Sequence, residues 1–212
     1  MYKLYYAPGT ASFCVHWMLI ELGVPFELSC VDVEAKANKS AEYVRLNPSG
    51  LVPTLVVDGV PYAETAALLM LLAERHSEAG LAPPPGAPGR AEYLQWMIYL
   101  ANTLQPAFRA WFYADEPAGP ENAEAGKAQT QSRIEAGWER VGVLLSDGRP
   151  FLLGQRLSTA DFLATMLMRW SRNMPRPATA FPNLGAYVER MRALPSLREV
   201  HAREGLTEWI DG

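Results

Sequence analysis

The spacing of apolar residues changes period several times in the first third of the chain, and each change marks an element. Tyr2–Ala7 alternates with period two and predicts a short strand. Pro8-Gly9-Thr10-Ala11-Ser12 breaks it with small and polar residues. From Phe13 the period becomes helical: Trp17, Ile20 and Glu21 follow at helical spacings, and Gly23-Val24-Pro25 stops a helix running from Phe13 to Gly23. Phe26–Val31 alternates again, a second strand. Strand, helix and strand joined this closely form a βαβ unit with parallel strands. Glu34–Ser40 reads as a polar loop and Ala41–Leu46 as a short helix. Thr54–Val57 and Val60–Ala63 are strands around Asp58-Gly59, a two-residue hairpin signal. Glu64-Thr65 then opens a helix rich in Ala and Leu that runs to Glu74. The order is βαβαββα.

Beyond this the pattern has one period. Ala79–Gly89 is dense in proline and glycine, an extended linker. Arg90–Phe112 carries Tyr93, Trp96, Met97, Leu100 and Leu104 at three- and four-residue spacings, a long amphipathic helix that Pro106 must bend or interrupt. Glu121–Leu145 repeats the pattern through Ile134, Trp138, Val141 and Leu145. Ser158-Thr159-Ala160-Asp161 is a capping box with aspartate in its third position, opening a helix to about Trp170. Asn183–Leu194 and Ser196–Glu204 are the last two helices. The expected domains are residues 1–79, a linker at 80–89, and an all-helical 90–212.

Composition narrows the classes. The 212 residues are 49% hydrophobic and 20% charged, as in a soluble globular protein. A formal charge of −4 gives no basic patch, which argues against nucleic acid or an anionic membrane as partner. No apolar run approaches the length of a membrane span, and Met1–Tyr6 lacks the layout of a signal peptide. The two cysteines, Cys14 and Cys30, are too few and too far apart for a C-x-x-C metal or redox site. A reducing cytoplasm and no metal are expected.

Chemistry concentrates between Asn47 and Ala67. Asn47-Pro48-Ser49-Gly50 is turn chemistry, and Pro53 stands at the mouth of a strand, where its missing N–H does no harm. If Val52-Pro53 is cis, the N–H and C=O of Val52 turn outward and can pair with an extended peptide. The helix start at Glu64-Thr65 offers free N–H groups to a carboxylate. Together these suit a small peptide with an acid at one end. The plainer account is an ordinary hairpin leading into a helix.

The segments Y-Y-A-P-G-T-A-S-F-C-V-H, N-P-S-G-L-V-P-T-L, A-E-T-A, G-Q-R-L-S-T-A-D-F, M-R-W-S and R-E-G-L make the whole chain resemble the cytosolic glutathione transferase superfamily, and within it the bacterial beta class. The resemblance implies a thioredoxin-like N-terminal domain, an all-α C-terminal domain, glutathione as co-substrate, a homodimer and a role in detoxification. It implies that Val52 pairs its backbone with the cysteinyl part of glutathione beside a cis Pro53. Glu64 would then address the amine and Thr65 the carboxylate of the γ-glutamyl end. Lys36 or Lys39 would serve the glycyl carboxylate, although lysines in polar loops are usually just solvated. The G-Q-R-L-S-T-A-D-F segment is similar to the family's structural capping motif.

The family's reaction is attack of the glutathione sulfur on an electrophile, and the thiolate is the reactive form. Ser12, at the start of the first helix, is the first candidate to stabilise it through a hydroxyl hydrogen bond; Thr10 is the rival, and a plain helix cap is the ordinary role for such a serine. Departures from the beta class matter here. Its cysteine position is Ala11, which excludes thiol–disulfide exchange at that site, and its histidine after the linker is matched by Gln105. Cys14 reads as a small buried hydrophobe and His16 as a core hydrogen-bonder. Tyr6, Phe108, Trp111, Phe112 and Trp170 are the expected wall of a hydrophobic electrophile pocket. The expected activity is conjugation of glutathione to a hydrophobic electrophile. The alternatives are glutathione-dependent peroxide or disulfide reduction, or a non-catalytic binding protein of the same fold.

Overall fold

The computed structural model describes residues 1–211. The chain divides into two compact units, Met1–Ala82 with Arg192–Gly212, and Pro83–Met191. By this division Arg192–Gly212 groups with the beginning of the chain, and Pro83, within the proline-rich segment, opens the helical unit.

In the first unit β1 (Tyr2–Tyr6), β2 (Phe26–Cys30), β3 (Thr54–Val57) and β4 (Val60–Tyr62) form one sheet in the order β2-β1-β3-β4. β1 runs parallel to β2, with Leu4 opposite Leu28, and antiparallel to β3, with Leu4 opposite Leu55. The hairpin between β3 and β4 turns on Asp58 and Gly59, both at positive φ (51° and 87°), as a tight turn with right-handed strand twist requires. Three helices interleave, α1 (Phe13–Glu21), α2 (Ala41–Leu46) and α3 (Thr65–Arg75), in the expected βαβαββα order. α1 is buried from Phe13 to Leu19. It packs on β1, α3 and the last helix, and such all-round enclosure is why its sequence shows little polar face.

The second unit is helical: α4 (Arg90–Tyr99), α5 (Gln105–Phe112), α6 (Asp115–Ala118), α7 (Ala123–Leu144), α8 (Thr159–Trp170) and most of α9 (Leu184–Arg192). The last helix, α10 (Pro195–Arg203), packs on α1 in the first unit. The interruption expected at Pro106 is a π-helical turn over Leu100–Leu104, with Pro106 in the first turn of α5. Widening the turn accommodates a ring that has no N–H and would meet the carbonyl four residues back. α7 passes close to this turn at Gly137, where a Cβ would collide with the Leu104 side chain. α8 is buried from Thr159 to Arg169 and is the centre of this unit.

The capping box at its start is formed as expected. Asp161 is fully buried and accepts four bonds, from Leu152 N–H (2.8 Å), Ser158 N–H (2.8 Å), Ser158 Oγ (2.7 Å) and Tyr187 Oη (2.8 Å). Burial raises its pKa and these four donors oppose the shift. Tyr187 is held protonated, far above the usual phenol range, by burial and by the neighbouring carboxylate. No helix among the described residues is long and apolar enough to cross a membrane.

Candidate active site

The loop between β1 and α1 carries both candidate hydroxyls, and the structure treats them differently. Ser12 is wholly buried; its Oγ donates to the Ala7 carbonyl (3.0 Å) and accepts from the Ala7 N–H (3.2 Å), closing the loop on itself. Thr10 is half-exposed, and its Oγ1 lies 2.7 Å from the same carbonyl and 2.9 Å from Ser12 Oγ. The Ala7 carbonyl thus has two hydroxyl donors. Thr10 can turn its proton outward and leave that oxygen satisfied by Ser12, whereas Ser12 cannot reach a ligand without dismantling the loop. Ala11 is half-exposed, and its N–H has no acceptor among the described residues, as expected for a group at the start of a helix.

Thr65 at the start of α3 donates its hydroxyl to the Ala11 carbonyl at 3.3 Å, so the first turns of α1 and α3 meet. The N–H groups of that first turn of α3 lack intrahelical acceptors. Glu64 precedes them, exposed, at φ 71° and ψ 104°, an unusual backbone for a residue with a side chain.

The loop entering β3 is tied down almost residue by residue. Asn38 Nδ2 (2.7 Å) and Lys39 Nζ (2.8 Å) donate to the Gly50 carbonyl, and Tyr43 Oη (2.9 Å) and Asn47 Nδ2 (2.7 Å) to the Leu51 carbonyl. Gly50 sits at φ 59°, and a Cβ there would lie 2.9 Å from Lys39 Nζ. Val52 follows, joined to the buried Pro53 by a cis peptide bond, and among the described residues nothing pairs with its N–H or C=O. Lys39 also reaches the Ser49 carbonyl (3.3 Å), while Lys36 is exposed at φ 58°.

The remaining candidate residues separate on burial. Cys14 is wholly buried, and burial pushes its thiol far above the ordinary range, so it is inert as a nucleophile. Tyr6 is half-buried beside His16; burial raises its phenol, with smaller contributions from Cys30 and the Glu204 charge. In the helical unit Phe108 is wholly buried between Trp138 and Trp170 and is core rather than pocket wall. Phe112 is 46% exposed and meets Trp111 and Trp170 edge-on. Trp111 lies beneath Lys127 Nζ, 4.5 Å from its centroid. Gln105, at the head of α5, is half-buried. Among the described residues no cluster of three or more His, Cys, Asp or Glu side chains is arranged to hold a metal.

One residue was missed by reading along the chain. Glu204, at the end of α10, accepts the Gly9 N–H on Oε2 (2.8 Å) and faces His16 Nδ1 with Oε1 (2.8 Å), so the loop before α1 is held by a residue 195 positions away. The R-E-G-L segment was the only trace of it in the sequence, and nothing there names its partner.

Residues 11–75 match the N-terminal domain of glutathione S-transferases and residues 101–204 match the C-terminal domain. A glutathione S-transferase of Xanthomonas campestris is 32% identical over 208 residues, covering 96% of this chain and 99% of that protein. A glutathione transferase homologue from Sulfitobacter, solved with bound glutathione, superposes with a TM-score of 0.87 at 27% identity, covering 98% of this chain and 99% of its own. A beta-class enzyme from Sphingomonas chungbukensis superposes with a TM-score of 0.84 at 28% identity over 97% of this chain and all of its own (100%). With both halves matched in order over this sheet and these helices, the chain belongs to the glutathione S-transferase family.

Proposed function

We propose that the chain binds glutathione across β3 and the first turns of α1 and α3, and conjugates its sulfur to a hydrophobic electrophile. The observation that carries this is the Thr65–Ala11 hydrogen bond, which brings the starts of α1 and α3 together, the Ala11 N–H having no acceptor among the described residues. The γ-glutamyl carboxylate fits the first turn of α3, where N–H groups and the helix dipole favour an anion. Its ammonium fits the exposed Glu64 carboxylate. The cysteinyl main chain extends the sheet edge by pairing with Val52. Lys39, tied to Ser49 and Gly50, stands nearer in sequence to Val52 than Lys36 and takes the glycyl carboxylate.

The sulfur then faces the start of α1. Its proton leaves to solvent, and the thiolate is stabilised by the Thr10 hydroxyl, the Ala11 N–H and the α1 dipole. The thiolate attacks the electrophilic carbon, forming a C–S bond and either expelling a leaving group or adding across a double bond. The same reading takes the protein as a cytoplasmic homodimer, which light scattering and cell fractionation check.

Calorimetry with glutathione and turnover of a chlorinated dinitrobenzene test the assignment in Thr10→Val, Ser12→Ala and Thr65→Ala. Thr65→Ala is expected to weaken glutathione binding about tenfold, and Thr10→Val to lower kcat about tenfold with binding retained, each the loss of a hydrogen bond to a charged group. Full turnover in Thr10→Val with collapse in Ser12→Ala reverses the roles of the two hydroxyls. Absence of glutathione binding by the parent protein sinks the transferase reading in favour of a non-catalytic binding role.

A further inference from the structure

The Glu204 cluster makes no contact with the groups assigned to glutathione, yet it is among the most completely enclosed polar arrangements in the first unit. The side chains of Glu204 and His16 are both 0% exposed, and His16 Nδ1 lies 2.8 Å from the carboxylate. The imidazole is fixed between Tyr6 (centroids 5.5 Å apart) and Phe26 (5.6 Å), and its Nε2 has no partner among the described residues. The other carboxylate oxygen accepts from Gly9, whose φ of 68° lies in the left-handed region that glycine enters without a Cβ penalty but that is only one of the conformations open to it. Gly9 adjoins Thr10 and Ala11. A buried carboxylate with so few donors is costly to keep, which is a reason to ask what its orientation achieves.

We propose that Glu204 is a positioning residue: oriented by His16, it pins the Gly9 N–H and so holds the Thr10 hydroxyl and the Ala11 N–H where the glutathione sulfur binds. This rests on the reading of those two groups as thiolate stabilisers. Donors fixed in advance stabilise developing charge without reorganising, whereas a loop free to rotate about Gly9 must be ordered in every turnover. The link spans almost the whole chain, so the end of the polypeptide sets the geometry of a loop near its beginning.

The test compares Glu204→Ala and Glu204→Gln in the full chain by amide hydrogen exchange at 9–11 without ligand, by glutathione Kd, and by the pH dependence of kcat/KM with the chlorinated dinitrobenzene. In Glu204→Ala the loop amides exchange faster, kcat falls about tenfold and the rising limb of the pH profile moves to higher pH, while Kd changes by less than about threefold because Val52 and Thr65 are untouched. Glu204→Gln keeps an oxygen for the Gly9 N–H and recovers most of kcat. An unchanged kcat and pH profile in Glu204→Ala overturns the proposal, as does unchanged exchange at 9–11. A common loss of folded protein in both variants, with kcat per folded molecule retained, assigns Glu204 to stability alone and overturns it too. If the parent protein fails to bind glutathione, the transferase reading falls and the catalytic consequence with it, while the exchange data still decide whether Glu204 holds the loop.

Discussion

Two helices in this protein begin beside a buried carboxylate, and the two beginnings are built to different ends. At α8 Asp161 takes four donors, from two backbone N–H groups, a serine and a tyrosine, and each of those donors finds its acceptor there. At α1 Glu204 takes two, Gly9 N–H and His16, while the Ala11 N–H and the half-exposed Thr10 remain available to something else. A saturated network fixes a fold and has nothing left to offer a ligand. A network that stops short leaves donors in a defined place, which is what an anion-binding or thiolate-stabilising site requires.

The larger of the two networks should show the larger loss. Asp161→Ala strips four donors of their acceptor and is expected to cost about 3–5 kcal/mol of unfolding free energy, read as a lower denaturant midpoint. A loss below about 1 kcal/mol would mean that water replaces the carboxylate and that the donors at the start of α8 do not depend on it. Glu204→Ala, with two donors released, is expected to cost about 2 kcal/mol in the same assay, so the ratio of the two losses measures the difference between the networks. Ser12→Ala removes the hydroxyl that closes the Ala7 loop and is expected to cost about 1–2 kcal/mol with conjugation retained, sharpening the separation between loop closure and chemistry.

The smallest effect concerns Cys14. Its thiol pKa is raised by burial in the folded state, so below the ordinary thiol pKa of about 8.5 folded and unfolded chains are both protonated and its contribution is intact. Above that pH only the unfolded chain ionises, and stability falls by at most about 1.4 kcal/mol per pH unit through this group. Cys14→Ala should flatten the stability profile between about pH 8.5 and 10, and a thiol reagent should modify exposed Cys30 alone in the native protein. Rapid modification of Cys14 would show that α1 opens far more readily than its burial indicates.

How much of this could be read along the chain depended on how local each signal was. Alternation in Tyr2–Ala7 and Phe26–Val31, the Asp58-Gly59 hairpin, and the Ser158–Asp161 box all act within a few residues, and all are found where the pattern put them, each of the two strands ending one residue early. Pro106 announced a break in the long helix, but not whether that break would be a bend or the π-helical turn found at Leu100–Leu104. Among the aromatics near Phe112 the sequence marked Phe108, Trp111 and Phe112 alike as pocket wall. It could not show that Phe108, one turn earlier, would be sealed between two tryptophans.

The sequence by itself determined the order of elements, the place of Pro53 at the mouth of a strand and the helix starts at Ser12-Phe13 and Glu64-Thr65, because backbone conformation responds to neighbours a few bonds away. Only the tertiary structure decided that Ser12 would be consumed in closing its own loop while Thr10 stayed half-exposed, and that Glu204 would reach Gly9 and His16. Hydroxyls two residues apart look equivalent on paper. They become unlike when packing buries one and leaves the other at the surface, and a hydrogen bond across 195 residues leaves no period in the chain for a reader to find.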